Sequence, residues 1–410
     1  MYIPRHAEKL VRKTSAMFGA TLVSGPRQVG KSTMLEKILA DLPPTKRVTF
    51  DDQLLLLSAL EQPDTFLKDN PPPLFIDEVQ RAPNVFYHIK KILDKDKKKG
   101  QYYLSGSQQF DLMEGVSESL SGRIGLVNML PLSLREQAFI SYDSPFLPNN
   151  SYFSKRREVV KPLEYEFLWK TIQRGSLPEM VTKEHFDWHA YYGKYLSTYI
   201  SRDVKRVANL ADEMKFTRFM MIAARHNGQL LNLTSLARDI GVSQPTAERW
   251  LSILVSSHIV YLLEPYSHPI TTRTIKTPKL YFLDTGLAAY LTRWTNPEAL
   301  RDGAMGGAFF ESFVISEILK SYYNAGVMKP PLYFYRDKDG TEIDLLIEDS
   351  GTLYPLEIKK HADPSKKDIA NFKVLDSLPS IKRGPGGVIC TYESLVTLEG
   401  EDRVIPVSYL

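Results

Sequence analysis

The sequence has little cysteine, no long apolar run and little excess charge of either sign. A single cysteine, Cys390, excludes a disulfide within the chain and is typical of a reducing compartment. No apolar run approaches the ~18 residues that cross a bilayer, and the first residues lack the apolar core of a signal peptide. We therefore expect a cytoplasmic protein that has no membrane partner.

The overall composition is close to that of ordinary globular proteins. The hydrophobic fraction is 43% and the charged fraction 24%, which excludes wholesale disorder and fibrous folds. A net charge of +4 over 410 residues is small for a protein whose whole surface tracks DNA. At roughly 100–200 residues per domain, this length predicts two to four domains, and any nucleic-acid contact must come from a local patch.

The N-terminal third alternates short apolar runs with helical patterns, which predicts a parallel α/β sheet. Candidate strands are 19–24, 47–50, 74–76 and 102–105, and candidate helices are 31–42 and 85–93. Residues 140–160, crowded with Ser, Asn, Pro and Tyr, predict a loop or linker. The pattern is mostly helical from about 160 to 265, and strands return at 279–283, 332–335, 343–347, 354–358 and 387–391.

A phosphate-binding loop follows the first candidate strand. Gly25–Ser32 fits G-x-x-x-x-G-K-[ST], in which glycines let several backbone N–H groups face one anion at a helix N-terminus. Lys31 can reach the β- and γ-phosphates, and the Ser32 hydroxyl can bind Mg²⁺. The predicted nucleotide-binding residues are Gly25, Pro26, Arg27, Gln28, Val29, Gly30, Lys31, Ser32 and Thr33.

Two carboxylates end the strand at 74–76. We assign Asp77 to Mg²⁺ and Glu78 to the water that attacks the γ-phosphate. A small-molecule kinase is the alternative for a phosphate loop, but it would need no water-activating glutamate. Glu78 therefore favours hydrolysis of ATP.

Two further residues are candidates for nucleotide contacts. Ser107 follows the strand at 102–105, where a polar side chain can touch the γ-phosphate, or can belong to an ordinary strand-end turn. Arg123 follows a flexible glycine and can act as an arginine finger in its own or a neighbouring subunit, which would require a homo-oligomer. An arginine in a surface ion pair is the equally weighted alternative.

The middle of the chain predicts a winged helix-turn-helix. Its helices are 216–224, 233–240 (capped by Asn232 and closed by Gly241) and a third opened by Ser243, followed by a wing strand at 259–263. The exposed face of the third helix includes residues suited to DNA, but Glu248 would repel phosphate. Contact with DNA and docking of another protein remain equal alternatives.

A second acidic constellation lies in the C-terminal third. Glu311 falls on a helix, Asp344 begins a strand after a hairpin at 339–340, and Glu357 and Lys359 are two apart on the next strand. If these strands pair, the three strand residues meet, and their carboxylates can hold Mg²⁺ for phosphodiester cleavage. Glu311 can complete the metal shell and Lys359 can orient the attacking water. A solvated hairpin with ordinary ion pairs is the plain alternative.

Together these motifs resemble the bacterial and archaeal AAA-type ATPases that carry a C-terminal domain of unknown function. The similarity runs through 25–32, 77–78, 106–107, 121–123 and 131–136, then through 199–204, 279–287 and the acidic series from Glu311 to Lys359. It covers nearly the whole chain except 140–160 and the last twenty residues. The resemblance implies an ATP-binding domain, a helical middle and a nuclease-like end, but no settled biological role.

The acidic constellation itself resembles the restriction-endonuclease-like superfamily, whose motif is a Glu on the first helix, an Asp on a strand and then Glu-x-Lys. A protein that keeps this fold without its activity is a further alternative. The expected fold class is α/β multidomain: a parallel P-loop sheet of AAA type, a helical middle with a winged helix-turn-helix, and a restriction-endonuclease-like domain. The expected domains are 1–140, a linker and helical lid at 141–210, the winged helix at 211–268 and the nuclease-like domain at 269–410.

The leading hypothesis is an ATP-hydrolysing enzyme that uses ATP and Mg²⁺ and whose C-terminal domain cuts or grips DNA. Its rival is a nucleotide-dependent binding switch or scaffold with a non-catalytic nuclease-like fold. The small net charge and Glu248 favour the rival.

Overall fold

The structure is a computed structural model of the chain and describes residues 1–42, 44–107, 120–183, 185–200, 213–267, 275–378 and 381–410. Residues 201–204 of the motif at 199–204 lie outside these ranges. The chain forms two compact units. Unit 1 comprises Met1–Leu132, Ser256–His258 and Tyr323–Met328, and unit 2 comprises Ser133–Val255, Ile259–Tyr322 and Lys329–Leu410. The division into four domains stays a prediction.

Unit 1 is built on a five-stranded parallel sheet, as its alternating pattern predicts. The strands are β1 (Ala20–Ser24), β2 (Lys46–Thr49), β3 (Leu74–Asp77), β4 (Tyr102–Gly106) and β5 (Ile124–Asn128), in the order β2-β3-β4-β1-β5. The helices are α1 (Ala7–Met17), α2 (Lys31–Ala40), α3 (Gln53–Glu61), α4 (Pro63–Asp69) and α5 (Val85–Lys95). Strand β5 has no counterpart among the predicted strands.

The core of unit 1 explains why these elements form. Strands β1 and β4 are buried along their whole length, as expected of parallel strands covered on both faces. On α5, Val85, Ile89 and Leu93 form one helical face and all three are buried. The sheet packs its apolar side chains against this face. Because β3, β4 and β1 pair in parallel, their carboxyl ends lie at one edge of the sheet.

The first part of unit 2 is helical. Its helices are α6 (Leu134–Gln137), α7 (Asn150–Arg157), α8 (Tyr165–Arg174), α9 (Pro178–Thr182), α10 (Trp188–Tyr199) and α11 (Glu213–Arg225). Helix α7 contradicts the loop predicted for 140–160. Asn149 caps it by accepting from the Tyr152 N–H at 2.8 Å, and Tyr152, Phe153 and Arg156 are buried. These buried residues do not recur at the apolar spacing of a helix, so the sequence pattern did not indicate one.

The helices predicted around Gly241 are confirmed. They are α12 (Leu233–Ile240) and α13 (Gln244–Ser256), and strands β6 (Gln229–Leu230), β7 (Val260–Leu263) and β8 (Lys279–Phe282) form a small antiparallel sheet in the order β6-β8-β7. Asn232 accepts from the Ser235 N–H at 2.9 Å, and Gly241 closes α12 with φ of 74°. On α13, Glu248 is exposed and accepts from the Gln244 side chain at 3.0 Å. The winged-helix identity and DNA contact stay predictions.

The C-terminal part of unit 2 is a seven-stranded mixed sheet. It follows helices α14 (Thr285–Thr292), α15 (Pro297–Asp302) and α16 (Gly306–Asn324), and comprises β9 (Leu332–Arg336), β10 (Glu342–Asp349), β11 (Thr352–Ile358), β12 (Lys382–Arg383), β13 (Gly387–Cys390), β14 (Val396–Glu399) and β15 (Asp402–Pro406). The order is β14-β15-β13-β11-β10-β9, with β12 also paired to β11. Strands β9, β10 and β11 are antiparallel neighbours, whereas β11, β13 and β15 are parallel. The pairing of β10 with β11 brings the predicted acidic residues together.

None of the described helices combines the length and the apolar character that crossing a bilayer requires. Cys390 is a buried free thiol. The cytoplasmic location stays a prediction.

Candidate functional sites

The loop between β1 and α2 has the backbone that its glycines predict. A Cβ on Gly25 would lie 2.0 Å from the Met129 carbonyl oxygen, so the position cannot accommodate a larger residue unless the backbone moves. Gly30 caps α2 in the left-handed region with φ of 89°. The N–H groups of the first turn of α2 are therefore presented at the end of the loop, as anion binding at a helix N-terminus requires.

Lys31 lies within this loop. Its ammonium donates to the Gly25 carbonyl at 2.9 Å and to the Pro26 carbonyl at 2.7 Å, and only 7% of the residue is exposed. The loop carbonyls thus hold the ammonium beside the backbone that would surround a phosphate.

A buried arginine, which the sequence analysis missed, anchors the other side of the loop. Arg5 donates to the Val29 carbonyl and to the Leu130 carbonyl, each at 2.7 Å. No motif marks Arg5, because its partners are 24 and 125 residues away in the chain. Thr33, predicted to contact nucleotide, is exposed on α2.

Ser32 and Asp77 are brought together at the carboxyl edge of the sheet. The Ser32 hydroxyl donates to Asp77 Oδ1 at 2.8 Å, and the Ser105 hydroxyl donates to the same oxygen. A hydroxyl and a carboxylate are the oxygen ligands that Mg²⁺ takes beside nucleotide phosphates. The donor set fits a magnesium ion held between α2 and β3.

Glu78 lies beside Asp77 in a constrained conformation. Its φ is 56°, which is uncommon for a residue other than glycine and often found at functional sites. The carboxylate accepts from the Gln80 side chain and lies 3.8 Å from the Arg27 guanidinium. The buried Gln80 amide also donates to Ser107 at 3.3 Å, so this residue, which sequence reasoning missed, links Ser107 to Glu78.

Arg123 is placed away from this site, which corrects its prediction as a nucleotide-binding residue within its own subunit. Ala20 at the start of β1 pairs with Ile124, and Ser24 at its end pairs with Asn128. Arg123 therefore precedes the amino end of β5, whereas the phosphate loop follows the carboxyl end of β1. Its guanidinium pairs with Asp94 and donates to the Ser121 carbonyl at 3.0 Å.

Three of the four residues predicted for the second site meet in unit 2. Asp344 on β10 accepts from the Ile358 N–H at 2.9 Å, and the Lys359 ammonium lies 3.3 Å from Asp344 and 2.7 Å from Glu357. The antiparallel register, with Leu345 opposite Leu356, produces this meeting.

Glu311 belongs to an adjoining group. Its carboxylate accepts from the Tyr281 hydroxyl at 2.5 Å and lies 3.3 Å from the Lys279 ammonium, which in turn lies 2.6 Å from Glu342. Sequence reasoning missed Lys279, Tyr281 and Glu342, although Lys279 and Tyr281 alternate on one strand. Their roles depend on packing of β8 against α16, which no local pattern reveals.

Burial and charge perturb this second site strongly. Burial, reinforced by the Asp344 charge, raises the pKa of Glu357 to about 9, and Lys359 offsets only part of the shift. Burial also raises the pKa of Glu311, against the opposing effect of Lys279. For Lys279, the nearby carboxylates outweigh burial, so its pKa lies above the ordinary value. Perturbed pKa values of this kind are frequent at functional sites.

Within the described ranges, no three His, Cys, Asp or Glu side chains lie close enough together to hold a metal ion. The predicted metal set of Glu311, Asp344 and Glu357 is thus not assembled as one cluster. Lys359 contacts Asp344 and Glu357, and Lys279 contacts Glu311. Asp344 and Glu357 retain the donor chemistry of a divalent-cation site, and Glu357 Oε1 is buried without a hydrogen-bond partner.

Comparison with known families divides the chain into three matched regions. Residues 18–138 match the AAA domain family, residues 165–298 match a domain of unknown function (DUF8612), and residues 306–410 match another (DUF4143). The match of the N-terminal region to the AAA domain family supports a P-loop ATPase domain there. The family matched by the C-terminal region has no described function, so the nuclease-like fold stays a prediction.

Two uncharacterized proteins are similar over most of the chain. They are Rv2008c of Mycobacterium tuberculosis and Mb2031c of Mycobacterium bovis, each 29% identical over 364 residues, which is 88% of this chain and 75% of the relative.

Solved structures show weaker likeness. The Walker-type ATPase PABY2304 of Pyrococcus abyssi has a TM-score of 0.44 at 15% identity, covering 70% of this chain and 94% of that one. A RuvB variant from Thermotoga maritima has a TM-score of 0.31 at 16% identity, covering 62% and 85%. Scores this low do not establish a shared fold over the aligned length.

Proposed function

We propose that this chain binds ATP with Mg²⁺, hydrolyses ATP and acts on nucleic acid through its second acidic site. The observation that carries the ATPase proposal is the hydrogen bond from Ser32 to Asp77, next to a phosphate loop that already encloses Lys31. These groups come from two separate segments of the chain, and together they match the requirements of phosphoryl transfer.

Each residue of the first site has a separate role. The loop N–H groups and Lys31 bind the phosphates, and Ser32 with Asp77 would hold Mg²⁺. The ion, when bound, neutralises charge that develops on the phosphate oxygens. Glu78 orients the attacking water and accepts its proton, and Gln80 fixes the Glu78 carboxylate.

The test of this proposal is Glu78→Gln, which keeps the shape of the side chain and removes the proton acceptor. We expect kcat for ATP hydrolysis to fall by roughly 10²–10⁴-fold, the usual contribution of a general base, while ATP affinity is retained. Glu61→Gln, an exposed glutamate on α3, is the matched control. Hydrolysis at the wild-type rate by the Glu78 variant would contradict the assignment.

For the second site, the proposal is Mg²⁺-dependent cleavage of a nucleic-acid phosphodiester. The meeting of Asp344, Glu357 and Lys359 supports it, as does the resemblance of these residues and Glu311 to the restriction-endonuclease-like motif. Asp344 and Glu357, with the Ile358 carbonyl, would hold the ion, which when bound polarises the phosphate and acidifies a water. Lys359 would orient the water or stabilise charge on the phosphate.

The experiment for this site compares plasmid nicking by wild type and Asp344→Asn in Mg²⁺. The amide oxygen can still accept from the Ile358 N–H, whereas the negative charge is lost. We expect a decrease larger than the ~10–100-fold that follows loss of an outer-shell partner. Asp349→Asn, an exposed residue at the end of the same strand, is the control. Equal nicking by wild type and Asp344→Asn excludes Asp344 as a ligand.

A second candidate function is a nucleotide-dependent switch that binds without cutting. The contacts of Lys359 with both Asp344 and Glu357 favour it, because the carboxylates are already neutralised. Measuring DNA affinity over a series of salt concentrations tests whether DNA is the partner. Contacts with phosphates make the affinity fall steeply as salt rises, and an affinity that does not change with salt excludes DNA as the partner. Salt-dependent binding without Mg²⁺-dependent nicking would favour the switch.

A further inference from the structure

A short segment from a distant part of the chain belongs to the ATPase unit. Ser256–His258 comprises the last residue of α13 and the next two, more than 220 residues after Lys31, yet it lies in unit 1 together with Tyr323–Met328. Ser257 and His258 are buried, with 5% and 7% exposed. Neither the phosphate-loop motif nor the family match at 18–138 includes this segment.

Burial leaves one ring nitrogen of His258 without a hydrogen bond in the described part of the chain. Its ring packs edge-on against Tyr323, with centroids 6.3 Å apart and an interplanar angle of 86°. Among the described residues, its Nδ1 atom has no hydrogen-bond partner. Its backbone φ of 54° is in the left-handed region, where histidine is found more often than most residues other than glycine. A buried polar atom without a partner costs free energy and calls for an explanation, such as a ligand that binds there.

The imidazole also lies within the electrostatic reach of the phosphate loop. Burial, and after it the charge of Lys31, lowers the pKa of His258 to about 4. The ring is therefore neutral at neutral pH, as is the neighbouring Tyr323, whose pKa burial raises to about 12. The electrostatic effect of Lys31 links this buried, unpartnered nitrogen to the loop that would hold an anion.

We propose that His258 is a nucleotide-binding residue whose imidazole contacts the phosphate chain of a nucleotide held by the loop at Gly25–Ser32. A neutral imidazole carries one N–H donor, and with that proton on Nδ1 a phosphate oxygen would supply the acceptor that Nδ1 lacks among the described residues. The proposal rests on nucleotide binding at Lys31 and adds a residue from outside the AAA domain.

The test measures dissociation constants for ATP, tripolyphosphate and adenosine with wild type and His258→Asn. Asparagine tolerates positive φ better than most residues, so the backbone strain is matched. Loss of a hydrogen bond to a charged group weakens binding by roughly 10–100-fold, and we expect this for ATP and tripolyphosphate. Adenosine, which has no phosphate, should bind both proteins equally. Tyr323→Phe, which keeps the ring that packs on His258, is the control and should bind like wild type.

The outcomes separate this inference from the proposed ATPase function. If wild type and Lys31→Ala bind ATP equally poorly, both proposals fail. If Lys31→Ala loses ATP while His258→Asn binds ATP and tripolyphosphate as wild type does, only the role of His258 is wrong. A loss of adenosine affinity equal to the loss of ATP affinity would also overturn the phosphate contact. If His258→Asn melts early, His258→Gln serves in the same assay.

Discussion

The two acidic sites differ in what surrounds their central aspartate. Asp77 accepts hydrogen bonds from two neutral hydroxyls, those of Ser32 and Ser105. Asp344 accepts from a backbone N–H and lies beside the Lys359 ammonium, which also contacts Glu357. In the part of the chain that the structure describes, no cation contacts the first carboxylate, whereas the second shares a cation with Glu357.

This difference indicates how readily each site can accept a divalent ion. A unit charge 4 Å from another is worth about 4 kcal/mol at an effective dielectric constant of 20, so an ammonium competes appreciably with a metal. At the second site, Lys359 would have to leave Asp344 and Glu357 before a metal ion could bind them. A substrate phosphate that pairs with the Lys359 ammonium would therefore favour metal binding. In the proposed ATPase, the first site would need no such rearrangement before the nucleotide and its ion bind.

The largest expected effect is that of Lys31→Ala. We expect ATP affinity and turnover to fall by at least ~100-fold, because the buried ammonium and its loop contacts are lost. Nicking in Mg²⁺ without nucleotide should be unchanged if the two sites are chemically separate. Lys37→Ala, an exposed lysine on the same helix, is the control for both assays. If Lys31→Ala lost nicking as well as ATP hydrolysis, the two sites would not be chemically separate.

A smaller effect should follow from Lys359→Gln in the second site. Removing the ammonium frees Asp344 and Glu357, so Mn²⁺ affinity measured without nucleotide should rise several-fold. Nicking should fall, since the group that orients water is gone. Lys360→Gln is the matched control, because this neighbouring ammonium donates instead to the Arg301 carbonyl at 2.6 Å. Unchanged Mn²⁺ affinity in Lys359→Gln would show that the ammonium does not compete with metal.

How far these sites could be predicted depends on the sequence distance between their parts. The loop at Gly25–Ser32 is one short motif on a strand and a helix, so its geometry is largely local. The meeting of Asp344 with Glu357 could be predicted as well, because a hairpin and strand alternation determine which side chains face each other. The helices around Gly241 were predictable from their capping residues for the same reason.

Long-range partners could not be predicted in this way. Lys279 and Tyr281 reach Glu311 only because β8 packs against α16, and Arg5 reaches the phosphate loop only through tertiary folding. His258 joins the ATPase unit from beyond α13, which no spacing in the sequence indicates. Such contacts are set by packing of whole elements, whereas periodicity and motifs describe neighbours along the chain.

The smallest expected effect, from Arg123→Ala, tests whether the first site is complete within one subunit. The parallel pairing of Ala20 with Ile124 puts Arg123 at the amino edge of the sheet, and at ~3.3 Å per residue the loop beyond Ser24 is about 15 Å away. Its exposed ion pair with Asp94 contributes little stability, so alanine should leave the fold intact. We expect kcat of dilute protein to stay within ~2-fold of wild type. A decrease that appears only as protein concentration rises would indicate that Arg123 acts in a neighbouring subunit. A decrease at every concentration would contradict the strand register, because only a different pairing of β1 with β5 brings this guanidinium to the phosphate loop of its own chain.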